Sequence, residues 1–176
     1  LLFVMAELEK LGAMDTIVSD VGVYSKGGKF SEKRTTISEL YRTIRSRIEN
    51  PVEGSYTNEL LSSEKRLYGK FVEEAGEFAE AVEGDWGRYR IKSEAADLFY
   101  VFLVACAKSG IDSGKIEEAA TASRVTPVPE SNRAYEKASS LLEKGERLSE
   151  EDALGFLRSF RDTLKDNAMD VADVVR

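Results

Sequence analysis

From Ala95 to Ala107 the chain reads AADLFYVFLVACA, and Asp97 is its only charge. A helix that is apolar almost all round is a buried helix. An ionised carboxylate in such surroundings costs several kcal/mol unless a cation, a metal or a dense set of donors replaces the lost water. Glu94 stands three residues earlier, on the same helical face as Asp97. The stretch therefore predicts a buried helix from Ile91 to Ser109, ended by Gly110, with a pair of acids near its start.

A second acidic cluster, Glu73-Glu74-Ala75-Gly76-Glu77, lies upstream. At about 100° per residue, Leu67, Phe71, Ala75, Phe78 and Val82 fall within a sector of roughly 80°, the core face of a helix that Ser63 caps and that runs to Glu83. Lys70, Glu74 and Glu77 form a stripe along one flank of that face, with Glu74 about 60° from its centre. Two helices with acidic stripes beside their core faces are expected to converge on one pocket. It would hold up to five carboxylates and a single lysine from these segments. Oxygen donors without imidazole or thiolate favour Mg²⁺ or Mn²⁺ over zinc. Glu74, Glu77, Glu94 and Asp97 are the expected ligands. Two plainer readings stay open: a solvated helix face for Glu73, Glu80 and Glu83, and a buried carboxylate paired with an arginine for Asp97.

Composition narrows the chemistry. With 176 residues, 42% hydrophobic and 32% charged, the chain suits one soluble domain or one domain with an appended helical piece. A net charge of −7 argues against sequence-independent nucleic-acid or membrane binding. It does not exclude a phosphorylated substrate, because bound metal ions reverse the local field. The absence of histidine removes imidazole bases, Ser-His-Asp triads and ordinary zinc sites together. The single Cys106 reads as a small core residue, and one cysteine fits a reducing, cytoplasmic compartment. The leading LLFVMA has no basic flank or small-residue cleavage site, so it is not read as a signal peptide.

Residues 1–36 carry weak signals: a short helix from Phe3 to Leu11, extended pieces at Thr16–Val18 and Val21–Tyr24, and a flexible turn at Lys26–Lys29. A clear helix follows from Ile37 to Glu49, with Leu40, Tyr41, Ile44 and Ile48 at helical spacing and Ser38 as its cap; Asn50-Pro51 stops it. The loop Pro51–Thr57 reads either as a connection in which Thr57 caps a short helix, or as a phosphate-holding loop. A helix from Asp112 to Ser123, a linker at Thr126–Pro129 and helices over 131–144 and 149–165 complete the chain. Ser149 caps the last of these, and Phe156, Leu157, Phe160 and Leu164 form a packing stripe along it.

From Leu40 to about Ala122 the chain resembles the phosphoribosyl-ATP pyrophosphohydrolases of histidine biosynthesis, members of the all-α nucleoside-triphosphate pyrophosphohydrolases. The resemblance rests on Leu40-Tyr41, Arg47, Gly54-Ser55-Tyr56-Thr57, Leu60-Leu61, the run Lys70 to Glu77, and Glu94-Ala95-Ala96-Asp97-Leu98-Phe99-Tyr100. It implies an all-α, dimeric helical bundle over 37–123, with an irregular extension at 1–36 and extra helices at 130–176. It also implies Mg²⁺-dependent cleavage of the α–β bond of phosphoribosyl-ATP, giving phosphoribosyl-AMP and pyrophosphate. Carried over by position, Glu74, Glu77, Glu94 and Asp97 would hold the metal. Glu73 or Glu74 would orient water, and Arg47, Ser55, Tyr56, Thr57 and Lys70 would face the nucleotide's phosphates. Many members have His after the tyrosine of the DLxY motif, where this chain has Val101. Members are often fused behind a zinc-binding cyclohydrolase domain, for which residues 1–36 lack both length and ligands, so a place in a multifunctional polypeptide is open.

Two rival functions remain at this level. The same chemistry would serve a house-cleaning enzyme acting on dUTP or damaged nucleoside triphosphates. A non-catalytic scaffold or regulatory dimer would keep the helices alone. The run from Leu98 to Ala107 offers more apolar surface than a small bundle covers, which predicts a homodimer. The helices beyond Ser131 are expected to be dispensable for catalysis, so a chain ending near Ser123 should keep most activity.

Overall fold

The computed structural model of the chain describes residues 36–122, 139–140 and 147–175. Every regular element among them is a helix: α1 (Ile37–Glu49), α2 (Tyr56–Leu61), α3 (Glu64–Glu83), α4 (Arg88–Ser109), α5 (Ser113–Thr121), α6 (Glu150–Asp166) and α7 (Val171–Val174). The all-α expectation holds. No helix among the described residues is long and apolar enough to cross a membrane.

Helix boundaries follow local chemistry. Ser63 accepts from the Arg66 amide to start α3, Asp112 accepts from Gly114 and Lys115 to start α5, and Ser149 accepts from Asp152 to start α6. Gly110 ends α4 at φ 73°, a left-handed conformation that suits a residue without Cβ. Two expected caps are corrected. Thr36, not Ser38, caps α1 in a reciprocal box with Glu39, because Ser38 already lies inside the helix and donates to Glu117 of α5 instead. Ser55, not Thr57, is the cap residue of α2.

Helix α4 is the axis of the fold. It starts at Arg88, earlier than the apolar run suggests, and packs against α3 and α1. Residues Leu98 to Ala107 are at most 6% exposed within this single chain. Much of that cover comes from α6. The Phe156 ring lies 4.8 Å from Phe71 and 4.9 Å from Phe102, and the Phe160 ring lies 5.6 Å from Phe99 and 5.4 Å from Phe78. Arg161, buried and paired with Asp162, donates to the Ala119 carbonyl, and Lys165 donates to that of Ala122, so α6 is tied to the end of α5. The sequence-based argument for a second copy, an uncovered apolar run, is therefore lost. The stripe on α6 is packing surface, as expected, but it fills the same core as residues 37–122 instead of forming an independent appendage.

The expected helix at Phe3–Leu11, the extended pieces, the Lys26–Lys29 turn and the Thr126–Pro129 linker lie outside the described residues, as does most of the helix over 131–144, of which Ser139 and Ser140 are helical.

Candidate active site

Helices α3 and α4 form a hairpin through the short turn at Gly84–Gly87. Glu74 lies nine residues before Glu83 and Asp97 nine residues after Arg88, so the hairpin sets the two acids level. One carboxylate oxygen from each of Glu74, Glu94 and Asp97 falls within 4.8 Å of the others. Adjacent and opposite ligands on a six-coordinate Mg²⁺ stand roughly 3–4 Å apart. The three acids therefore fit a hard divalent cation after closing by on the order of 1–2 Å.

Burial within the set differs from expectation. Glu74 is 5% exposed and Glu94 8% exposed, whereas Asp97 is only half-buried. The buried charge on α4 is thus Glu94, one turn nearer the hairpin turn. Glu77 is exposed and stands outside the trio. It still belongs to the same field: partial burial, and then Glu94, push its carboxyl above the usual range. Burial likewise raises Glu74; Lys70 opposes that shift, while Asp97 and Glu77 reinforce it. Glu73, Glu80 and Glu83 are exposed, in line with a solvated face.

Among the described residues, Lys70 and Arg90 attend the carboxylates. Lys70 Nζ lies 2.7 Å from Glu74 and 2.9 Å from Glu73. Burial alone would lower its pKa, but these hydrogen bonds raise it, so Lys70 is firmly charged. Arg90 pairs with Glu94 at 2.8 Å and stacks its guanidinium over Trp86. The sequence reading counted the lysine and missed this arginine, although Arg90 and Glu94 are spaced i,i+4.

Lys70 also lines a cleft of about 610 Å³ between α2 and α3, together with Tyr56, Leu60, Ser63, Lys65, Arg66, Gly69 and Glu73. Three cations in one cleft suit phosphate oxygens. Burial and the nearby Glu74, Glu73 and Asp97 raise the Tyr56 phenol, while Lys70 lowers it, so Tyr56 sits between cleft and carboxylates. Its ring stacks on Tyr100 at 6.3 Å. Tyr100 had no assigned role, yet its hydroxyl meets Thr57 Oγ1 at 2.6 Å. Thr57 and Ser55 are each 2% exposed. Thr57 thus braces Tyr56 and Tyr100. Val101 is 2% exposed in the core, a place that an aliphatic side chain fills without a hydrogen-bonding demand.

Arg47 is not brought to this cleft. It lines another, with Arg45, Lys108 and Arg147, and among the described residues the two clefts have no lining residue in common. Tyr56 and Leu60 of α2 face the first cleft; Asn58 and Leu61 face the second.

The family profile described as phosphoribosyl-ATP pyrophosphohydrolase matches residues 37–124, half of the chain. A phosphoribosyl-ATP pyrophosphatase of Methanosphaerula palustris is 44% identical over 79 residues, covering 43% of this chain and 79% of that protein. A histidine biosynthesis bifunctional protein, HisIE, of Parasynechococcus marenigrum is 38% identical over 106 residues, 58% of this chain and 47% of its own length. A histidine biosynthesis trifunctional protein of Candida albicans is 39% identical over 82 residues, only 9% of its length. The chain thus spans less than half of these multifunctional relatives. No solved structure matches it. The carboxylate trio, Lys70 and the α2–α3 cleft all fall inside the matched segment, whereas α6 and α7 fall outside it.

Proposed function

Because the chain belongs to the phosphoribosyl-ATP pyrophosphohydrolase family, we propose that it hydrolyses phosphoribosyl-ATP to phosphoribosyl-AMP and pyrophosphate in histidine biosynthesis. The observation that carries this reading is the convergence of Glu74, Glu94 and Asp97 beside a cationic cleft that shares Lys70 with them.

Glu74, Glu94 and Asp97 would hold Mg²⁺, or Mn²⁺ in its place, with Glu77, outside the trio but in the same electrostatic field, as a further candidate ligand. The cation would supply charge neutralisation on the phosphate oxygens. The protein's own groups do the rest. Lys70, Lys65 and Arg66 hold the polyphosphate, with Lys70 balancing charge on the departing pyrophosphate. Glu73, exposed beside Lys70 and outside the trio, is the first candidate to take a proton from water; Glu74, whose carboxyl burial raises, is the alternative. Water attacks the α-phosphorus in line, the α–β anhydride breaks and pyrophosphate leaves. Tyr56, held by Tyr100 and Thr57, shapes the wall between cleft and carboxylates.

The reading extends to a cytoplasmic setting, consistent with one buried cysteine. It includes a place in a larger polypeptide, since several relatives are multifunctional. A homodimer rests on the family's behaviour alone, because the apolar run on α4 is already covered within one chain.

The test is a pyrophosphate-release screen of phosphoribosyl-ATP against dUTP and the common nucleoside triphosphates, in Mg²⁺ and in EDTA. The expected outcome is Mg²⁺-dependent release that is fastest with phosphoribosyl-ATP. Faster release from dUTP or another nucleotide would move the chain to a house-cleaning role. Mg²⁺ binding with no release from any substrate would leave a scaffold.

A further inference from the structure

The second cleft has a composition that the carboxylate site does not explain. It encloses about 540 Å³ and, among the described residues, is lined by Arg45, Arg47, Lys108 and Arg147, with Glu49 the one acid. That is an excess of positive charge on a protein whose net charge is −7. Arg47 is 9% exposed, and among the described residues its guanidinium has neither a hydrogen bond nor an ion pair. Its nitrogens are not among the buried unsatisfied atoms, so they stay open to the cleft with donors available for an anion. Its neighbours leave capacity for one. Lys108 spends one donor on the Leu61 carbonyl at 2.9 Å, and Arg147 reaches Glu64 only at 3.4 Å.

Two further features describe the rest of the ligand. Asn58 Oδ1 is buried with no hydrogen-bond partner and belongs to a residue lining this cleft, so it would accept from a ligand hydroxyl or amino group. Ile48, one of the apolar residues at helical spacing on α1, is 42% exposed, and with Pro51, Leu61 and Ala107 it gives the cleft an apolar side. We propose that this cleft is a metal-independent binding site for a phosphate monoester, such as a sugar phosphate or mononucleotide, with Arg47 forking onto the phosphate and Asn58 reading a donor on the ligand's body. The cleft contains none of Glu74, Glu94 or Asp97, so binding there needs no divalent cation. The phosphate could belong to the distal end of the enzyme's own substrate or to a free metabolite; the recognition chemistry is the same.

The experiment is calorimetric titration of the full chain with AMP in EDTA, with adenosine as the control lacking phosphate. AMP is expected to bind and adenosine is not. Arg45 and Arg147 are both exposed, so Arg45→Gln with Arg147→Gln should leave the fold intact. The double variant should weaken AMP by at least about tenfold, the scale of one lost charge-assisted hydrogen bond. Arg47→Lys, which keeps the buried charge but not the planar fork, should weaken it too. Glu74→Gln should leave AMP affinity unchanged. No AMP binding in EDTA, or binding lost through Lys70→Met and not through the arginine variants, overturns the proposal. The titration needs no turnover, so it stands or falls separately from the pyrophosphohydrolase reading. Kinetics of the double variant then identify the source: a raised KM with unchanged kcat marks the substrate's own phosphate, and an unchanged KM with altered response to AMP marks a free metabolite.

Discussion

At the scale of single residues, Glu74 is held by opposing effects. Burial, Asp97 and Glu77 raise its pKa, and Lys70 at 2.7 Å works against them. A folded-state pKa above the unfolded value means that the folded form keeps a proton the unfolded chain has released. The associated stability is complete below the unfolded pKa and is lost as pH rises through the folded one. Metal-free protein should therefore lose stability from Glu74 as pH rises through the carboxylate range. Melting curves in EDTA between about pH 4 and pH 7 check this, with Glu74→Gln expected to be flatter than the parent; a variant of equal slope would refute it. Asp97→Asn tests the neighbouring ligand. Relief of repulsion should leave the metal-free Tm unchanged or higher, and the Tm gain from Mg²⁺ should shrink. A loss of about 3–5 kcal/mol without metal, with the Mg²⁺ gain intact, would instead mark Asp97 as one half of a structural ion pair. Helical spacing made the Glu74, Glu94 and Asp97 set legible. It misjudged which acid is buried, because flanking Ala96 and Leu98 face the core while Asp97, between them, turns towards the open side. It also missed Arg47's separation from Lys70, since nothing in either helix alone tells which side of the intervening α2 each will face.

At the scale of elements, periodicity located α1, α3 and α6 to within a residue or so, because each has one apolar stripe and a capping residue. The role of α6 was not legible. Prolines 127 and 129 read as a boundary, and a stripe shows that a helix packs without showing on what. Phe156 and Phe160 in fact close the core over Phe71, Phe78, Phe99 and Phe102. A chain ending near Ser123 should therefore not keep most of its activity, contrary to the reading from sequence. It would expose those rings and aggregate or recruit another apolar surface. The milder probe is Phe156→Ala, expected to cost about 3–5 kcal/mol and to lower Tm on the order of 10 °C. A truncated chain that stays monodisperse and melts cooperatively near the parent's Tm would show that α6 adds little.

At the scale of the whole molecule, charge and chemistry are divided. A chain of net charge −7 gathers acids on the α3–α4 hairpin and sets cations on both sides of α2. The absence of histidine removed imidazole bases and ordinary zinc sites, and that much was readable from composition; the oxygen ligands were read from the acidic clusters and the phosphate chemistry only from the resemblance. The central claim is that Glu74, Glu94 and Asp97 work as one cation-dependent centre splitting a phosphoanhydride. The most direct measurement is pyrophosphate release from phosphoribosyl-ATP in saturating Mg²⁺, comparing the full chain with Asp97→Asn of verified fold. The account predicts turnover by the parent that vanishes in EDTA and falls by roughly a hundredfold or more in the variant, as the loss of several kcal/mol of charge stabilisation requires. Undiminished pyrophosphate release by folded Asp97→Asn, or orthophosphate as the parent's product, would contradict it.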